Sequence, residues 1–180
     1  DETSSITYFE EVLEMLLVRF ELPVLKRLII SFDQPEQFEY WAQLYRASRE
    51  SKELLAESQQ LAFSLNAWIR DVLKKPVKLK KQIGFVPIYA HLCGQLELDV
   101  AEVLTAYTFT VLENQVLAAV KTVPLGQMSG QRILWHVHGL IPEAIERALA
   151  LQDAELSSAL PNYAMLSMAH ETQYSRLFRS

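Results

Sequence analysis

Four histidines and one cysteine are the side chains of this sequence best suited to hold a transition metal: His91, Cys93, His136, His138 and His170. Two ligands on one helix share an ion only when they stand three or four residues apart, on the same face. His91 and Cys93 are two apart, as are His136 and His138. Two residues turn a helix by roughly 200°, so neither pair converges on a regular helix, and core or surface histidines are the better reading. Glu171 follows His170, yet the zinc-protease pattern requires a second histidine where Tyr174 stands. Gly126 and Gly130 bracket only Gln127-Met128-Ser129 and are followed by Gln131-Arg132, without the lysine and spacing of a phosphate-binding loop. No Gly-x-Ser-x-Gly turn is present to expose a nucleophile. The residues predict no catalytic centre, no metal site and no bound cofactor.

Charged groups leave binding as the remaining chemistry. The basic run from Arg70 to Lys81 lacks the interleaved aromatics that stack on bases, and it reads first as a solvated linker. Arg46, Arg49, Glu50, Glu53 and Glu57 fall at helical spacings, with Arg46–Glu50 and Arg49–Glu53 as i, i+4 pairs on a solvated face. The C-terminal end mixes charges with Tyr174, Leu177 and Phe178, aromatic and aliphatic anchors that a free terminus carries when it docks.

The elements that position these residues are helices. Few glycines and prolines interrupt the chain, and apolar residues repeat near 3.6 rather than 2. A Ser/Thr start at residues 4–7 followed by acids opens a first helix with Phe9, Val12, Leu13, Leu16 and Leu17 inward. Pro23 opens a short apolar helix through Ile30, and Asp33 caps the next, with Pro35 in its first turn. From Phe38 to about Leu73, Trp41, Leu44, Tyr45, Leu54, Leu61, Leu65, Trp68 and Ile69 suit one long helix or two with a break near Ala47-Ser48. A buried helix spans residues 82–93 and stops at Gly94. Asp99 caps a helix through about Val120, with Val100, Val103, Leu104, Tyr107, Val111 and Leu112 on one stripe. After a turn at Pro124 and Gly126, a last long helix runs from Ser129 to about Leu151, with Pro142 as a point of division. The fold class is all-α, a single-domain bundle of roughly seven to ten helices over residues 1–180, with 160–180 as a docking tail.

A chain of 180 residues buries roughly 70% of its unfolded surface, enough core without metals or disulfides. Its net charge of −5 disfavours general affinity for nucleic acid. The lone Cys93 forms no internal disulfide and fits a reducing cytoplasm. No uninterrupted apolar run reaches the roughly 18 to 20 residues of a membrane span, so no membrane role is expected. The start at Asp1 suggests that residues upstream have been removed or that the sequence begins part-way into a longer protein.

Three stretches carry a resemblance. Leu112-Glu113-Asn114-Gln115-Val116 and the run from Val120 through Pro124-Leu125-Gly126-Gln127 to Gly130-Gln131-Arg132 resemble the UreF family, which has a very similar Pro-Leu-Gly-Gln, x, x, Gly-Gln stretch. Arg49-Glu50 with Glu53-Leu54 is similar to that family's Arg-Glu, x, x, Glu-Leu helix. The end from Ser167-Met168 through His170-Glu171-Thr172-Gln173-Tyr174-Ser175-Arg176-Leu177-Phe178-Arg179-Ser180 is similar to its C-terminal signature almost position for position. The family's N-terminal Gly- and Ser-rich segment has no counterpart here, and Leu55 stands where the family often has arginine.

The resemblance implies an all-α accessory factor of urease maturation without catalysis of its own and with a tendency to form a homodimer. It implies binding to a second accessory protein, UreD (UreH in some species), and to the GTPase UreG, in a complex that loads nickel into apo-urease. By that resemblance His170, Glu171, Tyr174, Arg176, Leu177 and Phe178 are the candidates for the UreD surface, and Lys121, Pro124, Gly126 and Gln127 for the UreG surface. The rival reading is a nickel metallochaperone using His91, Cys93, His136, His138 or His170.

Overall fold

The computed structural model describes residues 1–75, 83–123, 125–157 and 161–172. Among these residues the chain is built from helices, with no strand. They are α1 (Glu2–Glu11), α2 (Leu22–Ile30), α3 (Pro35–Ala47), α4 (Lys52–Trp68), α5 (Phe85–Gln95), α6 (Val100–Thr122), α7 (Gln127–Ala150) and α8 (Pro161–His170). The all-α class read from the periodicity is the one observed. The helices form two compact units, residues 1–23 with 99–157, and residues 24–98 with 161–172.

In the first unit the N-terminal helix packs on α6 and α7. Asp1, not the serines or threonines after it, caps α1: its carboxylate accepts from the Ser4 N–H at 2.9 Å. Between α1 and α2 the residues Val12–Glu21 wind as a π-helix, and the Leu22 N–H reaches back to the Leu17 carbonyl. Pro23 accounts for part of this. It has no N–H to give the carbonyl four residues back, and that carbonyl, of Arg19, accepts instead from the Ser157 N–H at 3.1 Å.

Phe9, Val12, Leu13, Leu17, Val103, Leu104, Leu112, Ile133, Val137, Ile141 and Ala148 make the core of this unit, each 4% exposed or less. Inside it Glu21 is 5% exposed, and its carboxylate accepts a short hydrogen bond from the Tyr107 hydroxyl. A buried polar group is tolerated only with such a partner. Nearer the surface, Arg132 grips Glu2 through two bonds of 2.8 and 2.6 Å, His136 meets Glu10 at 2.7 Å and Arg147 meets Glu14 at 2.6 Å. These contacts lace α7 to the N-terminal helix along its length.

Asp99 caps α6 as expected, accepting from the Glu102 N–H at 3.0 Å. α6 is also the one helix among the described residues long and apolar enough, by length and composition alone, to cross a membrane. Glu102 and Glu113 interrupt it, and Val103, Leu104, Tyr107, Leu112 and Val116 are buried along it, as in the core helix of a bundle. α7 passes through Pro142 without ending.

In the second unit α4 packs on α5. Gln34, not Asp33, occupies the cap position of α3, with no side-chain hydrogen bond, while Pro35 does take the first turn. The break after Ala47 is where the sequence placed it, so Arg46–Glu50 and Arg49–Glu53 do not share a helical face. Arg49 lies 4.4 Å from the centre of the Tyr45 ring instead. Gly84, at φ 94, precedes α5, and the Ser58 hydroxyl accepts from the Phe85 N–H at 3.0 Å in place of a local cap.

The stop expected at Gly94 comes slightly later. The Leu98 N–H bonds the Cys93 carbonyl, the Glu97 N–H bonds the Gly94 carbonyl, and Glu97 takes the left-handed conformation at φ 53, the double closure of a Schellman motif. Gly94 is needed for another reason. A Cβ there would lie 2.5 to 2.7 Å from three atoms of Phe32, at the end of α2.

Candidate functional site

The histidines and the cysteine have separate surroundings. His91 packs edge-on to Phe38 at 5.7 Å between ring centres, beside Phe32. Cys93 is buried, and burial pushes its thiol above the ordinary range while holding the neighbouring Tyr89 phenol up to about 12. Such a thiol is a poor source of the thiolate that metals and electrophiles need. His136 faces Glu10, whereas His138, two residues on, sits against Trp135 and Phe109. Among the described residues no group of three His, Cys, Asp or Glu side chains is placed to hold a metal ion.

What the second unit does assemble is a polar clasp between α8 and the first turn of α4. Ser51 caps α4 by accepting from the Leu54 N–H at 3.2 Å, and its hydroxyl also shares a 2.7 Å hydrogen bond with that of Ser167 on α8. The Glu171 carboxylate accepts from the Lys52 N–H at 2.6 Å, and the His170 imidazole meets the Glu53 carboxylate at 2.5 Å. An acceptor on an otherwise unsatisfied N–H at a helix start, with negative charge at the positive end of its dipole, is the favourable arrangement for both. Met165, Leu166 and Met168 of the same helix are 61%, 71% and 50% exposed. α8 is thus held through its polar side and turns apolar side chains outward, the reverse of an amphipathic helix buried in a core.

His170 and Glu171, singled out in the sequence, are both in this clasp. Tyr174, Arg176, Leu177 and Phe178 lie outside the described residues. Ser51, Lys52, Glu53 and Ser167 were missed as parts of it, and so was α8 as a helix. The one available signal was the cluster Met165, Leu166 and Met168 in a stretch without a continuing apolar period.

The second group of candidates lies in the first unit, where α6 ends and α7 begins. Lys121, Gly126 and Gln127 are exposed there, next to Met128, which is 68% exposed; Pro124 lies outside the described residues. The two helices meet closely at this end because Gly130 offers no side chain: a Cβ would come within 2.5 Å of Val120 Cγ2.

Among the described residues the chain is all-helical, and its organised surface features are the clasped α8 and the exposed turn between α6 and α7. Comparison with known proteins identifies the family: the family model for UreF matches residues 1–138, and the chain belongs to the UreF family. It is similar to the urease accessory protein UreF of Nitrosospira multiformis, at 38% identity over all of this chain and 83% of the relative. The urease accessory protein UreF of Methylobacillus flagellatus is 37% identical over the same shares. That of Ralstonia pickettii is 40% identical over 83% of this chain and 68% of the relative.

Proposed function

We propose that this chain is a non-catalytic scaffold and regulator of urease maturation, which bridges UreD (UreH) and the GTPase UreG while nickel is inserted into apo-urease. In this reading residues 1–180 act as one helical UreF-like domain in the cytoplasm, as a homodimer, with 160–180 as the docking end. The observation that carries it is α8, fixed to the start of α4 by Ser167, His170 and Glu171 while Met165, Leu166 and Met168 face outward. Methionine and leucine on a preformed helix give adaptable apolar contact at little further ordering cost. Tyr174, Arg176, Leu177 and Phe178 follow directly in the sequence and add the aromatic and arginine anchors typical of interface centres. Lys121 with the turn before α7 supplies the UreG side.

The test is a pull-down. Deletion of residues 173–180 abolishes UreD capture while the far-UV helical signal stays unchanged, and Lys121→Glu weakens UreG coupling without unfolding the chain. Full UreD capture by the deletion variant refutes the role of the tail. The nickel-carrier alternative has no observation in its favour: the candidate ligands are dispersed, and His136 and His170 are engaged by carboxylates.

A further inference from the structure

The outer face of α4 and the basic run after it take no part in the docking proposed above. Leu61, Leu65, Trp68 and Val72 recur at intervals of four, three and four residues along α4 and the π-helical stretch Ile69–Leu73 that continues it. At about 100° per residue Leu61, Leu65 and Trp68 share a wedge of roughly 60°, and Val72 follows on the π-helical turn. It lies beside the face through which Ser58, Ala62 and Ile69 are buried. Leu61 and Trp68 are each 47% exposed and Val72 is 59% exposed, with Leu65 half-buried. The sequence pattern alone would have put Leu61 and Trp68 in the core.

This ridge runs into a cationic end. Arg70 is neutralised by Asp71, with bonds of 2.7 and 2.9 Å. Lys74, which closes the helix in the left-handed conformation at φ 56, and Lys75 are both exposed. Among the described residues neither has an ion-pair partner. In the sequence Lys78, Lys80 and Lys81 follow, and no Asp or Glu stands between Asp71 and Glu97, in a chain whose net charge is −5.

An apolar ridge that ends in unneutralised cations selects its complement. We infer that this face of α4 takes an amphipathic helix of another protein, one whose own apolar ridge ends in carboxylates. An anionic bilayer is the poorer complement, because the exposed Glu57 carboxylate beside the far end of the ridge is repelled by a sheet of anionic headgroups, whereas a partner helix can set its carboxylates at the lysine end alone. The inference rests on the reading that the chain works inside an assembly, and not on α8 being the contact.

The experiment uses the full chain in a purified assembly with UreD and UreG. A carbodiimide joins a lysine amine to a carboxylate only where the two touch, and mass spectrometry locates the join. Crosslinks from Lys74 or Lys75 to a carboxylate of another protein are expected, together with an affinity at least tenfold weaker for Leu61→Ser/Val72→Ser. Lys74→Glu/Lys75→Glu, which leaves the ridge intact, is expected to lose the crosslinks and weaken binding in a salt-dependent way. An intact assembly with no crosslink from these lysines and unchanged affinity in both variants overturns this inference alone. Crosslinks only between copies of this chain overturn it in favour of self-association, and lysine-dependent binding to phosphatidylserine vesicles in their place overturns it in favour of a membrane. Failure of any assembly to form overturns the functional reading and this inference together.

Discussion

The same substitution at two glycines is expected to change stability in opposite directions. Within a helix, Gly→Ala gains about 0.8 to 1 kcal/mol from backbone entropy and propensity. Gly139 lies within α7, is exposed and has nothing within 4 Å of the place a Cβ would occupy, so Gly139→Ala keeps that gain in full. At Gly94 the same methyl meets Phe32 Cγ, Cδ1 and Cβ at 2.5, 2.6 and 2.7 Å. These atoms sit at the root of the side chain, where a rotamer change gives no relief, and overpacking of this kind costs about 1 to 3 kcal/mol. Taking a cost near the upper end, the net effect of Gly94→Ala is a loss of about 2 kcal/mol. For a chain of this size that corresponds to a Tm lower by roughly 4 to 8 °C, against a rise of roughly 2 to 4 °C for Gly139→Ala. Urea titration followed by far-UV circular dichroism gives the two midpoints. A Gly94→Ala midpoint at or above that of the parent chain would refute the close approach of Phe32 as the reason for glycine.

Three other perturbations follow from the contacts described. Tyr107→Phe keeps the ring and removes the donor to the buried Glu21 carboxylate, so stability is expected to fall by about 1 to 3 kcal/mol in the same titration; an unchanged midpoint would count against the bond. Arg132 and Ser129 hold the Glu2 carboxyl down to about 2 from an ordinary 4.5. Its contribution is therefore complete above about pH 4.5 and lost as the pH falls toward about 2. Arg132→Ala should flatten that part of the acid-stability profile, and high salt should do the same in part because the pair is exposed. Glu53→Gln removes the charged partner of His170 and should speed amide exchange across residues 161–172 by about threefold to tenfold, with α5 unaffected; equal exchange in both chains would show that the clasp does not hold α8.

The long helices were legible because their apolar residues follow one period and their ends carry local signals, as Asp99 does for α6 and the Ala47-Ser48 break does for α3. The π-helical stretch Val12–Glu21 was not. Its residues are apolar on nearly every side, so a 3.6 period fits them equally well, and the cause lies partly in the Ser157 N–H far along the chain. α8 was hidden for a related reason. Its own residues form a weak pattern, and what fixes it are Ser51, Lys52 and Glu53, more than a hundred positions earlier. His170 and Glu171 stand in the family's C-terminal signature, whereas the residues that hold them are brought there only by folding across more than a hundred positions. Leu61 and Trp68 mislead in the other direction, since helical spacing says which residues share a face and not whether that face is covered.

The joined Glu21 and Tyr107 side chains also act as a registration key. Leucines and valines along two packed helices fit almost as well after a slide of one turn, about 5.4 Å, because one aliphatic knob resembles the next. A buried carboxylate that accepts from a phenol at one fixed position permits no such indifference. Displaced by a turn, it would lose the bond to Tyr107, so the pair penalises shifted alignments of α6 against the N-terminal helix that apolar packing by itself would accept.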